Sequence, residues 1–272
     1  MEKIGFIGGG NMAFALASSF YQKDNNLKFF LYDPDRVRCD LFKSTFNDGV
    51  EICSDPNLVV KSSKLLILAV KPQMLSSVAS ALGSGIEALR AQGGVVLSIL
   101  AGISISRLSE IFSGVAIARL MPNTPCLIGE MAGGLVFNQL TTSEDKDKIC
   151  KLLSYAGDVV VVEEALMDGV TALSGSGPAF VAAFIEAFIK AGVDVGLSYE
   201  DASFLTLATF SGTANLLKAK GLSPSELIKM VSSPQGTTVA GLEKLNGSNY
   251  NQIVSDTILA AAKRSKELGA SN

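Results

Sequence analysis

The chain has 272 residues, 48% of them hydrophobic and 18% charged, with a net charge of −3, a pI of about 5.2 and a mean hydropathy of +0.35. At ~100–200 residues per domain this favours two domains, and the apolar content suffices for a large core with an excess to spend on a subunit interface. An acidic balance without a long basic run gives nucleic acid or an anionic membrane no hold, and four scattered cysteines (Cys39, Cys53, Cys126, Cys150) with no CxxC pair and no histidine exclude an ordinary Cys/His metal site.

Along the chain, residues 3–7 form a short apolar run that enters three glycines, followed by a helical pattern over 11–21. Residues 27–32 read as a second strand. LLILAV at 65–70 is an uninterrupted apolar run, as expected of a strand buried on both faces. Residues 95–99, 115–120 and 159–162 repeat that signal, with helical patterns between them at 73–90 and 143–155. Alternating strands and helices predict a parallel sheet covered by helices. Near residue 165 the character changes: helical patterns occupy 177–195, 199–219, 223–231, 237–245 and 250–268, punctuated by Gly196, Gly221, Ser223-Pro224, Pro234 and Gly247. The expectation is an α/β domain over 1–164 followed by an all-helical domain over 165–272.

Four free thiols fit a reducing compartment. Met1-Glu2-Lys3 leads to glycine within five residues, without the apolar core and cleavage site of a signal peptide. No uninterrupted apolar stretch approaches the ~20 residues of a membrane span. The most apolar long segment, 181–197, carries Glu186, Lys190 and Asp194 four apart on one helical face, the pattern of a largely buried helix in a soluble protein. A cytoplasmic protein with no membrane association is expected.

The strand at 3–7 runs into Gly8-Gly9-Gly10-Asn11-Met12-Ala13, a G-x-G-x-x-A turn between a strand and a helix. The first glycine permits a tight turn, the second lets a pyrophosphate approach the backbone, and the small third residue lets the helix pack on the strand. Glycine-rich turns also arise for purely structural reasons, but here the turn lies inside a βαβ pattern whose second strand ends in an acidic residue. Ile7, Gly8, Gly9, Gly10, Asn11 and Met12 are therefore candidate cofactor residues. The acidic residue is Asp33, in Tyr32-Asp33-Pro34-Asp35-Arg36. It would accept the ribose 2′-hydroxyl of NAD and repel a 2′-phosphate, or else merely cap the next helix. Arg36 and Arg38 stand close enough in sequence to neutralise such a phosphate, so the choice between NADH and NADPH stays open. Ala69-Val70-Lys71-Pro72 ends the most apolar strand, where open α/β sheets bind ligands, and its backbone is expected to line the nicotinamide pocket. The Lys71 charge itself is most simply solvated. Asn123 and Thr124, in MPNTP, lie at a strand exit near the expected cleft, and Asn123 joins the cofactor candidates.

These segments together resemble the pyrroline-5-carboxylate reductase family: GFIGGGNMA (5–13), LAVKPQ (68–73), SILAG (98–102), RLMPNTP (119–125), ALSGSGPAF (172–180) and SSPQGTTVAGLE (232–243). They occur in order and span nearly the whole chain. MPNTP, SGSGPAF and SPxGTT are specific in combination, whereas the N-terminal pieces are shared by many dinucleotide enzymes. The resemblance implies a Rossmann-like domain for NADPH or NADH and a helical domain that interlocks with a partner's, so that each active site uses both chains of a homodimer or of a ring of dimers. It implies reduction of 1-pyrroline-5-carboxylate, a cyclic imine, to L-proline. Two departures stand out. The family usually has SPGGTT where this chain has Gln235, a strained residue if that position needs φ > 0. Family members often have Ser, Asn or Arg where this chain has Asp33.

Hydride transfer to an imine needs a cofactor held against the carbon, a protonated nitrogen and donors for the carboxylate. Ser232–Thr238 precedes a helical pattern that begins near Thr237, and a helix start with small hydroxyl residues offers free N–H groups and a favourable dipole end. Ser233, Gly236, Thr237 and Thr238 are thus the candidate substrate residues. The same pattern alone would read as an ordinary Ser-Pro helix start. By resemblance Thr238 lies near the ring nitrogen, as hydrogen-bond donor or proton relay. With no histidine, the usual general base of hydroxy-acid dehydrogenases is missing. SGSGPAF (Ser174 to Gly177, then Pro178) suits close backbone approach at the junction of two domains. Two other readings compete. A 3-hydroxyacid or 6-phosphogluconate-type dehydrogenase would need a catalytic lysine on the helix at 177–195, where Lys190 is the only lysine and its surroundings do not match. The other is a non-catalytic cofactor-binding protein, encouraged only by Gln235.

Overall fold

A computed structural model describes residues 3–270. The eight strands are β1 (Lys3–Ile7), β2 (Lys28–Tyr32), β3 (Val50–Ile52), β4 (Leu65–Leu68), β5 (Val95–Ser98), β6 (Ala116–Met121), β7 (Met131–Phe137) and β8 (Gly157–Val161). They form one sheet in the order β3-β2-β1-β4-β5-β6-β7-β8. The first six follow the Rossmann order 3-2-1-4-5-6, whose direction of winding reverses between β1 and β4. LLIL of β4 is buried throughout and is hydrogen-bonded between β1 and β5.

The helices of this part are α1 (Asn11–Lys23), α2 (Arg36–Phe46), α3 (Pro56–Ser62), α4 (Leu75–Leu82), α5 (Gly85–Ala91), α6 (Ile105–Ile111), α7 (Ser143–Leu153) and the short α8 (Met167–Val170). They sandwich the sheet between two apolar layers. One is built on Phe6, Phe29, Phe42 and Phe46, the other on Val59, Leu66, Leu89 and Val96. The aromatic rings of the first layer meet mostly edge to face, with Phe6 and Phe29 centroids 5.7 Å apart, the arrangement that ring quadrupoles favour.

Four expectations need correction. The sheet is not wholly parallel, because β7 runs antiparallel to β6. Only residues 122–130 join them, too few for the crossover that a parallel neighbour requires. β7 (MAGGLVF) was not legible as a strand because Gly133 and Gly134 break its alternation. Gly134 is needed there: a Cβ would lie 2.7 Å from Val170 Cγ1. Over 73–90 there are two helices instead of one, since Gly83, at φ 42°, ends α4. The domain limit also differs. The chain divides into two compact units, residues 3–176 with 260–270 and residues 177–259, within the described range. The break falls inside SGSGPAF, after a π-helical turn at Thr171–Gly175. The last turns of the C-terminal helix join the first unit, where Ser265 Oγ donates to Asp168 Oδ1 at 2.6 Å and a Cβ on Gly269 would contact the Gly102 carbonyl.

The second unit is helical: α9 (Gly177–Asp194), α10 (Tyr199–Lys220), α11 (Pro224–Val231), α12 (Thr237–Asn246) and most of α13 (Tyr250–Ala270). The punctuation read from sequence sits where expected. Ser223 and Glu226 form a capping box with Pro224 in the first turn of α11, and Gly221 closes α10 in the left-handed conformation. α9 and α10 pack closely at Gly192, where a Cβ would come within 2.9 Å of the Ala202 methyl, and through Phe188 and Phe210 in edge-to-face contact.

α9 is not the largely buried helix that its pattern suggested. Only Gly177 is buried, while Val181, Phe184 and Phe188 are exposed in the single chain. Together with the preceding turns, Glu164–Asp194 makes a helical run long and apolar enough, by length and composition, to cross a membrane. That is contrary to the reading that no such segment exists.

Candidate functional site

The turn after β1 is built as a cradle. Gly8 has φ 99°, a conformation other residues adopt only under strain, and a Cβ there would stand 2.6 Å from the Ala69 carbonyl oxygen at the exit of β4. Gly10 N-caps α1 without any side-chain cap, and no acidic residue occupies the first turn. The leading N–H groups of α1 are therefore unpaired and sit at the positive end of the helix dipole. The turn and the β4 exit open on a cleft of about 490 Å³ at the reversal point of the sheet. The surroundings fit a dinucleotide: a backbone cradle closed to side chains, an uncapped helix start for phosphates, and an apolar wall.

Ile7, Gly8, Gly10, Asn11, Met12, Asp33, Ala69, Val70 and Lys71 all border this cleft. Gly9 does not line the cleft itself and donates its N–H to Asp33 Oδ2 at 2.6 Å. Pro72 begins a 3-10 turn, Pro72–Met74, just beyond the wall.

Three of the sequence expectations change. Asp33 is not the cap of α2. That cap is Asp35, which accepts the Val37 N–H at 3.0 Å. Arg36, the first residue of α2, is exposed and away from the cleft wall, and the arginine there is Arg38. The helical period explains the exchange, because two residues further along α2 turn the side chain by about half a turn. Asn123 does not line the cleft. It is buried, with its Nδ2 donating to the carbonyl and hydroxyl oxygens of Ser174, both at 3.3 Å, and its Oδ1 accepting the Ala132 N–H at 3.0 Å. Its amide thus ties the exit of β6 to the start of β7 and to the π-helical turn. Sequence reasoning missed the outer wall of the cleft, Met74, Ser77, Val78 and Ala81. Their signal was present in the helical pattern at 73–90, but residues on the exposed side of a helix carry no mark of what they face.

In the second unit, Ser233-Pro234-Gln235-Gly236 is a tight turn closed by the Gly236 N–H on the Ser233 carbonyl at 3.0 Å. Proline stands at its second position, and Gln235 at its third has φ 61°. This is the pattern of a type II turn, whose third position favours glycine. Gly236 then N-caps α12 with no side-chain cap, and Thr237 and Thr238 begin the helix. A Cβ on Gly236 would collide with Ser233 Oγ at 2.4 Å, so the absence of a side chain is what lets Ser233 fold over the helix start. Ser233, Gly236, Thr237 and Thr238 are thereby gathered around one set of unpaired N–H groups.

All four cysteines are free. Burial pushes the Cys53 and Cys126 thiols up to about 11, and it raises Cys39 too, against the lowering effect of its hydrogen bond to the Asp33 carbonyl. None is poised as a nucleophile. Among the described residues no three metal-ligating side chains come together.

Two family models match. One, described as pyrroline-5-carboxylate reductase dimerisation, covers residues 164–268. The other, NADP oxidoreductase coenzyme F420-dependent, covers residues 3–102. Among curated proteins, the pyrroline-5-carboxylate reductase of Methanosarcina acetivorans is 36% identical over 98% of both chains. That of Synechocystis is 37% identical, again over 98% of both. A crystal structure of Plasmodium falciparum pyrroline carboxylate reductase with NADP bound superposes with a TM-score of 0.84 at 31% identity, over 99% of each chain. With relatives this similar over nearly its whole length, the chain belongs to the pyrroline-5-carboxylate reductase family.

Proposed function

We propose that this protein reduces 1-pyrroline-5-carboxylate to L-proline with NADPH or NADH, as a homodimer formed through the helical half. The observation that carries the reading is that each unit has an uncapped helix start on a glycine turn: α1 behind Gly8 and Gly10, and α12 behind Gly236. Each offers unpaired N–H groups and a dipole end to an anion, the first to a pyrophosphate and the second to a carboxylate.

The cofactor, when bound, supplies a hydride for the imine carbon. Its phosphates belong on the N–H groups of Asn11 and Met12, and the exit of β4 at Ala69–Pro72 borders its nicotinamide. The substrate carboxylate is held by the first turn of α12, with the Ser233 and Thr237 hydroxyls as further donors. Thr238 is the hydroxyl assigned to the ring nitrogen. A protonated imine is the better hydride acceptor, and the product amine keeps that proton, so Thr238 need only orient it. This explains how a chain without histidine carries out the reaction.

The apolar faces of α9 and its neighbours are covered by a second copy. That fits both the match to the dimerisation model over 164–268 and the exposure of Phe184, Phe188 and Phe204 in one chain. A ring of dimers built on that unit, and residence in the cytoplasm with its thiols reduced, complete the proposal.

The test is a spectrophotometric assay of NADPH and, separately, NADH oxidation with 1-pyrroline-5-carboxylate. Rapid oxidation that requires the imine supports the reading. Folded protein that binds dinucleotide but turns over no cyclic imine refutes it.

A further inference from the structure

We infer that Asp33 makes this enzyme prefer NADH to NADPH, an inference that rests on the dinucleotide reading of the cleft. The Asp33 side chain is only 5% exposed, and its carboxylate is held at both oxygens. Oδ2 accepts the Gly9 N–H at 2.6 Å, and Oδ1 accepts the Asp35 N–H at 2.8 Å. Its own carbonyl takes a hydrogen bond from the Cys39 thiol at 3.4 Å. The helix that follows is capped by Asp35, so Asp33 is released from the capping role and its carboxylate stays on the cleft wall.

A carboxylate has about four acceptor positions. Gly9, Asp35 and a longer contact from Arg38 at 3.5 Å take three, which leaves one on Oδ1 for a sugar hydroxyl. A ribose 2′-hydroxyl can donate to it. A 2′-phosphate has no proton to donate at neutral pH, carries a charge of about −1.5 to −2, and would meet a carboxylate that two backbone N–H groups prevent from swinging away. Like charges in such a poorly hydrated site repel more strongly than in water.

The cations that might offset this are already engaged or distant. Arg38 reaches Asp33 with Nη1 at 3.5 Å and Asp35 with Nε at 3.4 Å, so its single charge faces two carboxylates. Arg36 is exposed and off the wall. Lys71, the other cation of the cleft, sits beyond β4, across β1 from the β2 exit that carries Asp33.

The test is direct binding, read by calorimetry without substrate, of NADH and NADPH to the wild type, Asp33→Asn and Asp33→Ser. The wild type should bind NADH at least about tenfold more tightly, and both variants should gain NADPH affinity so that the ratio shrinks by about that factor or inverts. The ratio of kcat/KM for the two cofactors should move in parallel. Asp33→Asn keeps the side-chain shape and one oxygen acceptor, for either the Gly9 or the Asp35 N–H, and Asp33→Ser removes the clash of donors at the other position, so a folding defect confined to one variant does not obscure the result. Tighter NADPH binding by the wild type, or an unchanged ratio in the folded Asp33→Asn variant, would overturn the inference while leaving the reductase reading intact. Failure of both dinucleotides to bind would overturn both.

Discussion

Arg119 and Glu164 offer the most quantitative test of how this fold is held. Arg119 lies on the central strand β6 with its side chain 8% exposed, and Glu164, 32% exposed, is its ion-pair partner. The same Glu164 oxygen accepts the Ile105 N–H at 3.1 Å, at the first turn of α6, while Oε2 is buried without a partner among the described residues. Removing one member of a buried pair strands the other and costs about 3–5 kcal/mol. Because Glu164 is a third exposed, water entering from its side relieves part of this, and Glu164→Leu should cost about 2–3 kcal/mol. Glu164→Gln, which keeps an acceptor for Ile105, should cost about 1 kcal/mol less than Glu164→Leu. The double variant Arg119→Met/Glu164→Leu strands no charge and should return to within about 1 kcal/mol of wild type. Urea unfolding of the wild type, these three variants and Arg119→Met alone, followed by circular dichroism at one fixed protomer concentration because the proposed dimerisation makes stability concentration-dependent, gives all the values. The reasoning fails if Glu164→Leu costs less than about 0.5 kcal/mol, or if the double variant loses the sum of the two single variants.

Gly8→Ala should abolish dinucleotide binding in calorimetry while the protein stays folded by circular dichroism, since the added methyl meets the Ala69 carbonyl at 2.6 Å in a φ of 99°. Thr238→Ala should lower kcat without eliminating it and leave cofactor affinity unchanged, because the imine can take its proton from solvent; complete loss with cofactor binding intact would refute that. Gln235→Gly should raise the melting temperature by the equivalent of about 0.5–1 kcal/mol, the left-handed strain relieved less the added freedom of the unfolded chain. The Cys53 and Cys126 thiols, near 9.0 when unfolded and pushed up to about 11 by burial, keep their protons in the fold after the unfolded chain has lost them. Their contribution is therefore whole below pH 9 and should drain away between about pH 9 and 11, at up to about 1.4 kcal/mol per thiol per pH unit; alkaline melting curves that stay flat across that window would refute the burial argument.

Much of the fold is legible in the sequence, and for physical reasons. A strand buried on both faces must be apolar at every position, so LLIL declared β4 outright. The Gly8 turn was readable because a positive φ and a closed neighbour leave glycine alone as a choice. What escaped was whatever depends on partners distant in sequence. β7 hid behind Gly133 and Gly134, which are glycine because Met121 and Val170 press on them from outside the strand. The role of Asn123 escaped for the same cause: nothing in MPNTP tells of Ser174 fifty residues on. Arg36 and Arg38 could not be separated because their order on α2 depends on where that helix begins, and that was settled by Asp35 capping it in place of Asp33.

The helical half shows a deeper limit of the one-dimensional pattern. Glu186, Lys190 and Asp194 mark one face of α9 as polar, and all three are indeed exposed. The pattern predicts that the remaining face is buried, and in the single chain it is not. An apolar face specifies only that something must cover it, because the hydrophobic effect is non-directional and does not distinguish the chain's own core from a second copy. Nor does it distinguish either from lipid, which is why the run Glu164–Asp194 satisfies the composition of a membrane span. What favours the second copy, as proposed above, is information that periodicity lacks. The dimerisation model matches 164–268, which contains the apolar helices almost entirely. In the proposed dimer the apolar faces that one chain leaves exposed over residues 177–259 are completed by the second copy, which then becomes part of the fold of that unit.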